Sequence, residues 1–315
     1  MRCKSCFFFL LFSVALLAQS HADKKIYVDS LEREVTARDR VYYRIIKDYY
    51  AEEPLKLYQV SDYYRSDKIE MTGLSTSKDN LIREGEFVYY YENGNKKSST
   101  YYKDAEANGK YFEWYKNGYP KIAGEYITDA ENPKTPILKI LEYWDANSVL
   151  KITGGNGDYS ETTANETSSG KMKDGFKDGL WTGSSKKYKF TFSDTYINGK
   201  FVSGTSTDSD KEEHPYTAIE VKAEPPKGIN DFRDYVGNNF QLPAKQRSGG
   251  RIISKFVVEK NGKLDGFKIL QSIGSASDSE MIRVIKSYPD RWNPGMLRGI
   301  KMRMQYSMPL SIEVH

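Results

Sequence analysis

The chain has 315 residues, of which 38% are hydrophobic, 14% aromatic and 29% charged. At about 100 to 200 residues per domain this length predicts two globular units, and the aromatic content excludes an intrinsically disordered chain. Both cysteines, Cys3 and Cys6, lie in the first six residues, and the three histidines are scattered along the chain. This distribution argues against a zinc site, a cysteine nucleophile and a disulfide framework.

The N-terminus has the pattern of a secretory signal. Arg2 and Lys4 precede an apolar run over 7–18, and small residues follow it. We therefore predict a signal peptide over 1–22, cut after Ala22. The apolar run is shorter than the roughly 20 residues of an ordinary spanning helix. The expected location is the periplasm or cell envelope of a Gram-negative bacterium, and an uncleaved inner-membrane anchor is the alternative.

The predicted mature chain carries opposite charge on its two halves. Residues 225–315 contain 15 Lys and Arg against 8 Asp and Glu, a net charge of +7, whereas residues 23–224 have a net charge of −5. Opposite signs favour two units with different surfaces. Because the basic excess is modest and forms no Lys/Arg run, no nucleic acid is expected among the partners.

Self-similar segments fill the middle of the chain. Each reads as an aromatic stretch, a tight turn and a second strand, and an Asn-Gly turn between aromatic stretches predicts a β-hairpin with a type I′ turn. The copies are 64–68, 91–96, 114–121 and, more weakly, 143–147, with their turns at Asp67, Gly94, Gly118 and Asn147. These stretches resemble MORN-type repeats of the degenerate hairpin variety found in exported bacterial proteins.

This resemblance covers residues 58–206 and follows a helical or strand lead-in over 23–57. One hairpin cannot bury its aromatic face alone, so neighbouring hairpins are expected to stack into an elongated sheet. Most tyrosines then belong to the repeat core and to cross-strand pairs, with a ligand-binding aromatic groove as the main alternative. Residues 154–170 are expected to form an exposed loop, and 207–226 a polar linker containing proline.

The last ninety residues predict the order helix, strand, strand, helix, strand. Apolar spacing indicates a helix over 229–236, capped by Asn230 or Asp231. A hairpin follows over 251–272, then a helix from Ser277, and a period-2 strand over 300–308. The fold class predicted for the whole chain is therefore mainly β with an α+β C-terminal domain, in which a small antiparallel sheet packs against two helices.

Residues 227–315 resemble the C-terminal domain of the TonB family of energy transducers. The resemblance is carried by the Gln-Leu-Pro stretch at 241–243, the strand pair around 261–262, the Trp-Asn-Pro-Gly stretch at 292–295 and the closing strand. Family members have Tyr where this chain has Leu242. The residues to which the resemblance gives structural roles are Trp292, Pro294, Gly295 and Gly299.

The resemblance implies that this domain captures a peptide from an outer-membrane TonB-dependent receptor, either the plug or the N-terminal segment, by strand addition at a sheet edge. The partner-binding residues that it implies are Gln241, Leu242, Pro243, Arg303, Gln305 and Ser307. Inner-membrane motor proteins become partners if the N-terminus is not cleaved, and a homodimer is a further option. Another basic residue, Arg298, is expected on a solvated face or facing an acidic partner.

No catalytic motif is present in the sequence, so we predict a non-enzymatic protein without cofactor or metal. Two functional hypotheses follow. The first is a periplasmic TonB-family protein linked to TonB-dependent transmembrane transport. The second is a non-transducing cell-envelope scaffold, whose hairpin repeats and TonB-like domain are docking modules for protein, glycan or lipid.

Overall fold

The structure, a computed structural model, describes residues 22–129, 132, 135–244 and 249–313. The predicted mainly β fold with two helices is confirmed. Apart from Ala22, the predicted signal peptide lies outside the described residues. Among the residues that are described, no helix has the length and apolar character needed to cross a membrane.

Sixteen strands form one antiparallel sheet in which each strand lies beside its neighbours in sequence. Short hairpin turns favour this order, because antiparallel strands need only a few residues to connect them. The strands are β1 (Lys24–Val28), β2 (Tyr42–Ile46), β3 (Tyr58–Tyr63), β4 (Ile69–Ser75), β5 (Arg83–Tyr90), β6 (Lys96–Lys103), β7 (Glu106–Trp114), β8 (Pro120–Ile127), β9 (Ile137–Trp144), β10 (Leu150–Thr153), β11 (Asn156–Thr162), β12 (Glu166–Lys173), β13 (Phe176–Ser185), β14 (Phe190–Ile197), β15 (Lys200–Thr207) and β16 (Glu213–Tyr216).

Two further sheets of three strands and both helices follow. Their elements are β17 (Glu220–Val221), α1 (Gly228–Asn239), β18 (Gly250–Val258), β19 (Leu264–Gln271), α2 (Ser275–Lys286), β20 (Gly295–Leu297), β21 (Ile300–Met302) and β22 (Met304–Ile312). The sheets have the orders β17-β20-β21 and β19-β18-β22. The chain divides into two compact units, Met1–Leu150 and Lys151–His315. The predicted linker over 207–226 contains two short strands, β16 and β17, and the domain boundaries stay a prediction.

The repeat turns of the first unit differ from the type I′ prediction. The Tyr91 N–H donates to the Asn95 carbonyl at 2.8 Å, and Gly94 alone has a positive φ, of +90°, whereas Asn93 does not. The turn at Gly118, with φ of +89°, repeats this geometry. A three-residue loop closed by a left-handed glycine and a bulge has this geometry, and the register shifts at the adjoining strand ends.

In the other two copies a residue other than glycine has the left-handed conformation at the turn. Asp67, with φ of +63°, has the left-handed conformation in the first copy. In the last copy this conformation belongs to Ser148, with φ of +62°, so the turn position predicted at Asn147 is wrong by one residue. The Ser148 N–H and the Asp145 carbonyl close that turn at 2.9 Å.

The tyrosine that opens each repeat turn donates its hydroxyl to the next repeat. The bonds run from Tyr64 to the carbonyl of Tyr90 at 2.6 Å, from Tyr91 to that of Trp114 at 2.9 Å, and from Tyr115 to that of Trp144 at 2.8 Å. Each acceptor lies at or next to the end of a strand. Burial raises the pKa of Tyr64 to about 12, so its hydroxyl remains a donor at neutral pH. These hydroxyls therefore link successive hairpins.

A buried ion pair lies near the core of the first unit. The Arg44 guanidinium binds both carboxylate oxygens of Asp62 at 2.7 Å. Glu70, on β4, is only 7% exposed. Burial, reinforced by the negative charge of Asp62, raises the pKa of Glu70 to about 7, although Lys97 and Arg44 oppose the shift. Glu70 is thus a buried carboxyl that titrates near neutral pH.

The second unit pairs glycines with aromatic residues across neighbouring strands. A methyl group added to any of these glycines would lie within 2.5 Å of the opposite ring. The pairs are Gly170 with Trp181, Gly183 with Phe192 and Gly204 with Tyr216. Each ring therefore covers the backbone of the neighbouring strand, where only glycine leaves room. The prediction of an exposed loop over 154–170 is wrong, because β11 and residues 166–170 of β12 form paired strands there.

The two helices pack on the sheet β19-β18-β22 around a compact apolar core. Its fully buried members are Phe232, Val236, Ile252, Phe256, Val258, Met281, Val284 and Ile285. Helix α1 extends three residues beyond the predicted end, and neither Asn230 nor Asp231 caps it, since the N-cap is Lys227 without a side-chain bond. Helix α2 begins at Ser275, two residues before the predicted start.

Replacing Tyr91 with Phe removes the hydroxyl that binds the Trp114 carbonyl. We expect Y91F to lower the free energy of unfolding by about 0.5 to 1.5 kcal/mol, the usual net value of one hydrogen bond. Urea denaturation followed by far-UV circular dichroism measures the change. The matched control is Y119F, because Tyr119 is 57% exposed. Equal stabilities of Y91F and Y119F would contradict the linking role of this hydroxyl.

The titration of Glu70 predicts a pH dependence of stability. Its pKa is higher in the folded protein than the usual 4.5, so the folded state binds the proton more tightly and stability falls as the pH rises from about 4.5 to about 7. E70Q should therefore be more stable than the wild type at pH 8, by about 1 to 3 kcal/mol, and gain little at pH 4. Thermal unfolding across this range tests it, with E53Q at an exposed position as control. An unchanged pH slope in E70Q would refute the assignment.

Candidate functional site

The last strand lies at the edge of its sheet. β22 pairs with β18 along its whole length, from Met304 opposite Val258 to Ile312 opposite Gly250. In the part of the chain that the structure describes, β22 has a partner strand on this side only. An edge strand carries main-chain N–H and C=O groups that do not enter its own sheet. β22 is therefore the candidate site for binding an extended peptide.

Three of the predicted partner-binding residues line this strand. Arg303, Gln305 and Ser307 are exposed and alternate with half-buried or buried neighbours, so they share one face. Arg303 lies between β21 and β22, where its guanidinium binds the Glu259 carboxylate at 2.7 Å. A ligand on this face would therefore contact Arg303, whose charge is paired with Glu259, and the uncharged polar side chains of Gln305 and Ser307.

The other three predicted residues lie between α1 and β18. The Gln241 N–H donates to the Glu280 carboxylate on α2 at 2.9 Å. Leu242 is 41% exposed, and Pro243 is half-buried. Gln241 is held by Glu280 on α2, and Arg303 is held by Glu259, which follows β18. The 241–243 segment and the start of β22 are thus held by different parts of the chain.

Trp292 lies in the core of this part of the chain, with only 2% of its surface exposed. Its ring packs against Phe232, Phe256 and Tyr306, with centroids 5.0 to 5.5 Å apart. The backbone N–H of Trp292 donates to the Gly262 carbonyl at 3.0 Å, which joins the β18–β19 turn to the segment before β20. Trp292 therefore sets the position of that segment.

The residues after Trp292 lead the chain into β20. Pro294 is half-buried, and Gly295 begins the strand. A methyl group on Gly295 would lie 2.1 Å from the sulfur of Met304, so the Met304 side chain packs directly over the Gly295 backbone. The structural roles that the family resemblance gives to Pro294 and Gly295 stay a prediction.

Arg298 and Gly299 form the two-residue turn between β20 and β21, with φ of +47° and +78°. Arg298 is only 7% exposed. Its guanidinium lies 3.2 Å from the Asp194 carboxylate and 3.1 Å from that of Glu166. The expectation of a solvated or partner-facing Arg298 is therefore wrong, because its acidic partners lie on β12 and β14 of the same chain.

The surroundings of Arg298 satisfy its charge and its backbone. The guanidinium carbon lies 3.6 Å from the centre of the Phe192 ring, and the Ser206 hydroxyl donates to the Arg298 carbonyl at 2.6 Å. The Tyr216 hydroxyl donates to Asp194, which is only 1% exposed. We call these residues, with Glu166, the Arg298 anchor. It fixes the β20–β21 hairpin to the second unit's part of the long sheet.

Sequence reasoning missed this anchor. Its signal lies in β14, where Phe190, Phe192 and Tyr196 alternate on one face and Asp194 occupies the same face. A carboxylate in such a row of buried aromatic residues needs a cation. The residue that supplies the cation is more than a hundred positions further along the chain, and nothing in the local pattern identifies it.

One group of side chains in the described part of the chain has the composition of a metal site. The ligand atoms of Asp208, Glu212 and His214 lie within 4.8 Å of one another. The Asp208 carboxylate already accepts a bond from the His214 ring at 2.8 Å, and from the N–H groups of Asp210 and Glu212. These bonds explain the arrangement of the turn without an ion.

Comparisons with known proteins identify no relative of this chain. No protein-family model, curated protein or solved structure matches it.

Removing the guanidinium of the Arg298 anchor leaves the Asp194 carboxylate buried without its cation. We expect R298M to destabilise the second unit by about 3 to 5 kcal/mol, as for other broken buried pairs. R303M removes an exposed pair with Glu259 and should cost at most about 1 kcal/mol. Urea unfolding followed by tryptophan fluorescence compares them. Equal losses in the two variants would show that Arg298 is no anchor.

Proposed function

We propose that this chain is a non-enzymatic periplasmic protein of the TonB family that binds peptide segments of outer-membrane transporters by strand addition. The binding edge is β22, and the bound segment belongs to the plug or the N-terminus of a TonB-dependent receptor. The protein thereby takes part in TonB-dependent transmembrane transport. Residues 1–22 export it to the periplasm as a cleaved signal peptide.

The observation that carries this proposal is the position of β22 in its sheet. The strand has nine residues, all paired with β18 on one side, and it ends the sheet on the other. An incoming peptide can continue the ladder there, with main-chain hydrogen bonds providing affinity and side chains providing selectivity. The exposed Gln305 and Ser307 lie along the strand and can select the peptide through hydrogen bonds.

Rigid support of the edge favours binding. The core beneath β22 contains Trp292 and Met308, both only 2% exposed. The Arg298 anchor holds the β20–β21 hairpin that leads into the strand. A preformed edge reduces the conformational entropy that the protein itself loses on binding. The cost that remains is mainly the ordering of the peptide itself.

The proposal also includes a likeness of the long sheet to MORN-type repeats. The first-unit hairpins of this sheet repeat one turn geometry and one tyrosine bond, which supports the proposed likeness to MORN-type repeats in the first-unit part of residues 58–206. In this proposal residues 227–315 are the TonB-like domain, and the hairpin module occupies the position of the spacer found in full energy transducers.

Amide chemical shifts of the isotope-labelled chain, titrated with receptor N-terminal peptides, test strand addition. We expect the largest shifts in residues 304–312, together with slower hydrogen exchange of the outward-facing amides. A peptide of the same sequence with N-methylated backbone amides is the matched control, because it keeps the side chains and loses the donors. It should bind at least about tenfold more weakly.

Two results would overturn the proposal. One is the absence of shifts in 304–312 with receptor peptides that bind other TonB-family proteins. The other is equal binding of the N-methylated peptide, which would show that side chains alone hold it. Neither result depends on the stability of a variant.

A further inference from the structure

The first unit carries a groove of about 670 Å³ on its solvent face, over β5, β6 and β7. This groove is remote in sequence from β22, and strand addition makes no use of it. The side chains that define it are Glu86, Ser99, Tyr101, Asn108, Lys110 and Phe112. We call it the Tyr101 groove. Its size is within the usual range for small-ligand sites.

Strand register places the two aromatic rings on one face. Phe112 lies opposite Ser99, and Tyr101 follows Ser99 by two residues, so all three side chains project to the same side. Phe87 and Thr100 have the opposite parity and are buried, at 0% and 6% exposure. The Tyr101 groove is therefore on the face opposite the Phe87 core, although its Ser99 is itself only 4% exposed.

Both rings are open to solvent. Tyr101 is 47% exposed and Phe112 is 38% exposed. The Phe112 ring is supported by the Trp114 ring, with centroids 5.9 Å apart and planes inclined by 30°. Exposed rings held in a fixed orientation provide flat apolar surface for stacking, and their π-faces are partly negative.

Polar groups surround the rings. The Ser99 hydroxyl donates to the Glu86 carboxylate at 2.5 Å, which orients an acceptor at one side. Residues 108–110 bulge opposite Tyr101, because the register passes from Thr100–Tyr111 to Tyr102–Ala107. Asn108 and Lys110 alternate along β7 with Phe112, so they line the same groove, and both side chains are exposed.

These features exclude several ligand classes. β6 and β7 are interior strands, paired on both sides, so the groove offers no sheet edge for strand addition. Glu86 and Lys110 balance each other in charge, which disfavours nucleic acid and other polyanions. The groove is open and has a charged rim, which disfavours a lipid chain. A ligand that stacks on rings and forms several neutral hydrogen bonds fits best.

We propose that the Tyr101 groove binds an oligosaccharide. A pyranose ring has C–H groups on its faces, which pack on the π-faces of Tyr101 and Phe112, and hydroxyl groups around its rim. Asn108 can donate and accept, Lys110 can donate, and Glu86 can accept, so the rim hydroxyls meet complementary partners. This inference is independent of strand addition at β22, since the groove and the edge lie in different units of the chain.

Binding of the full mature chain to an array of immobilised glycans tests the inference. The array should include neutral glucans, chitooligosaccharides and peptidoglycan fragments, and calorimetry then measures affinity for the best soluble glycan. We expect Y101A and F112A each to lose at least about tenfold in affinity, because each removes a stacking surface. Y188A is the matched control, since Tyr188 is 42% exposed in the other unit. It should bind as the wild type does.

Three results would overturn the proposal. They are no binding to any glycan on the array, binding that Y101A and F112A leave unchanged, and equal losses in Y188A. Thermal unfolding of each variant checks that the fold is retained. N108A gives a second readout at a side chain that packs in no core, and it should weaken binding with no change in the unfolding temperature.

Discussion

The long sheet depends on one constraint, which is that a hairpin cannot bury its aromatic side chains without a neighbour. Two devices satisfy it. In the first unit the tyrosine that opens each turn donates to the next repeat, as Tyr91 does to Trp114. In the second unit a ring covers a glycine on the paired strand, as Trp181 covers Gly170. The tyrosine bond joins successive hairpins, from the end of β5 to the end of β7, and the glycine–ring contact joins paired strands. Both act between parts of the chain that are close in sequence, so the sheet grows by adding hairpins in sequence order.

The Arg298 anchor meets a similar constraint, which is that a buried carboxylate needs a cation beside it. Asp194 lies among buried rings and would be costly without a cation. Arg298 supplies it from a turn that also contacts Phe192 and Ser206. Because breaking such a pair costs more than forming it gains, the anchor fixes position more than it adds stability. The edge strand β22 therefore follows a hairpin whose place is determined by the sheet.

The two proposals use different parts of β structure. An edge has main-chain groups that no strand has paired, and β22 is such an edge. An interior strand has only side chains to present, and β6 and β7 present Tyr101 and Phe112. A peptide suits the first surface and a rigid ring-shaped ligand suits the second. If both proposals hold, the chain connects a receptor segment with a glycan.

The sequence by itself determined the turns at Asp67, Gly94 and Gly118, the hairpin over 251–272 and the approximate spans of both helices, because these follow from local alternation and turn residues. It did not determine turn type. Asn198-Gly199 has positive φ at both residues, whereas Asn93-Gly94 has it only at glycine, since loop length and bulges decide between them. Only the tertiary structure decided that β22 is an edge and that Arg298 is buried, because both depend on contacts between residues far apart in the chain.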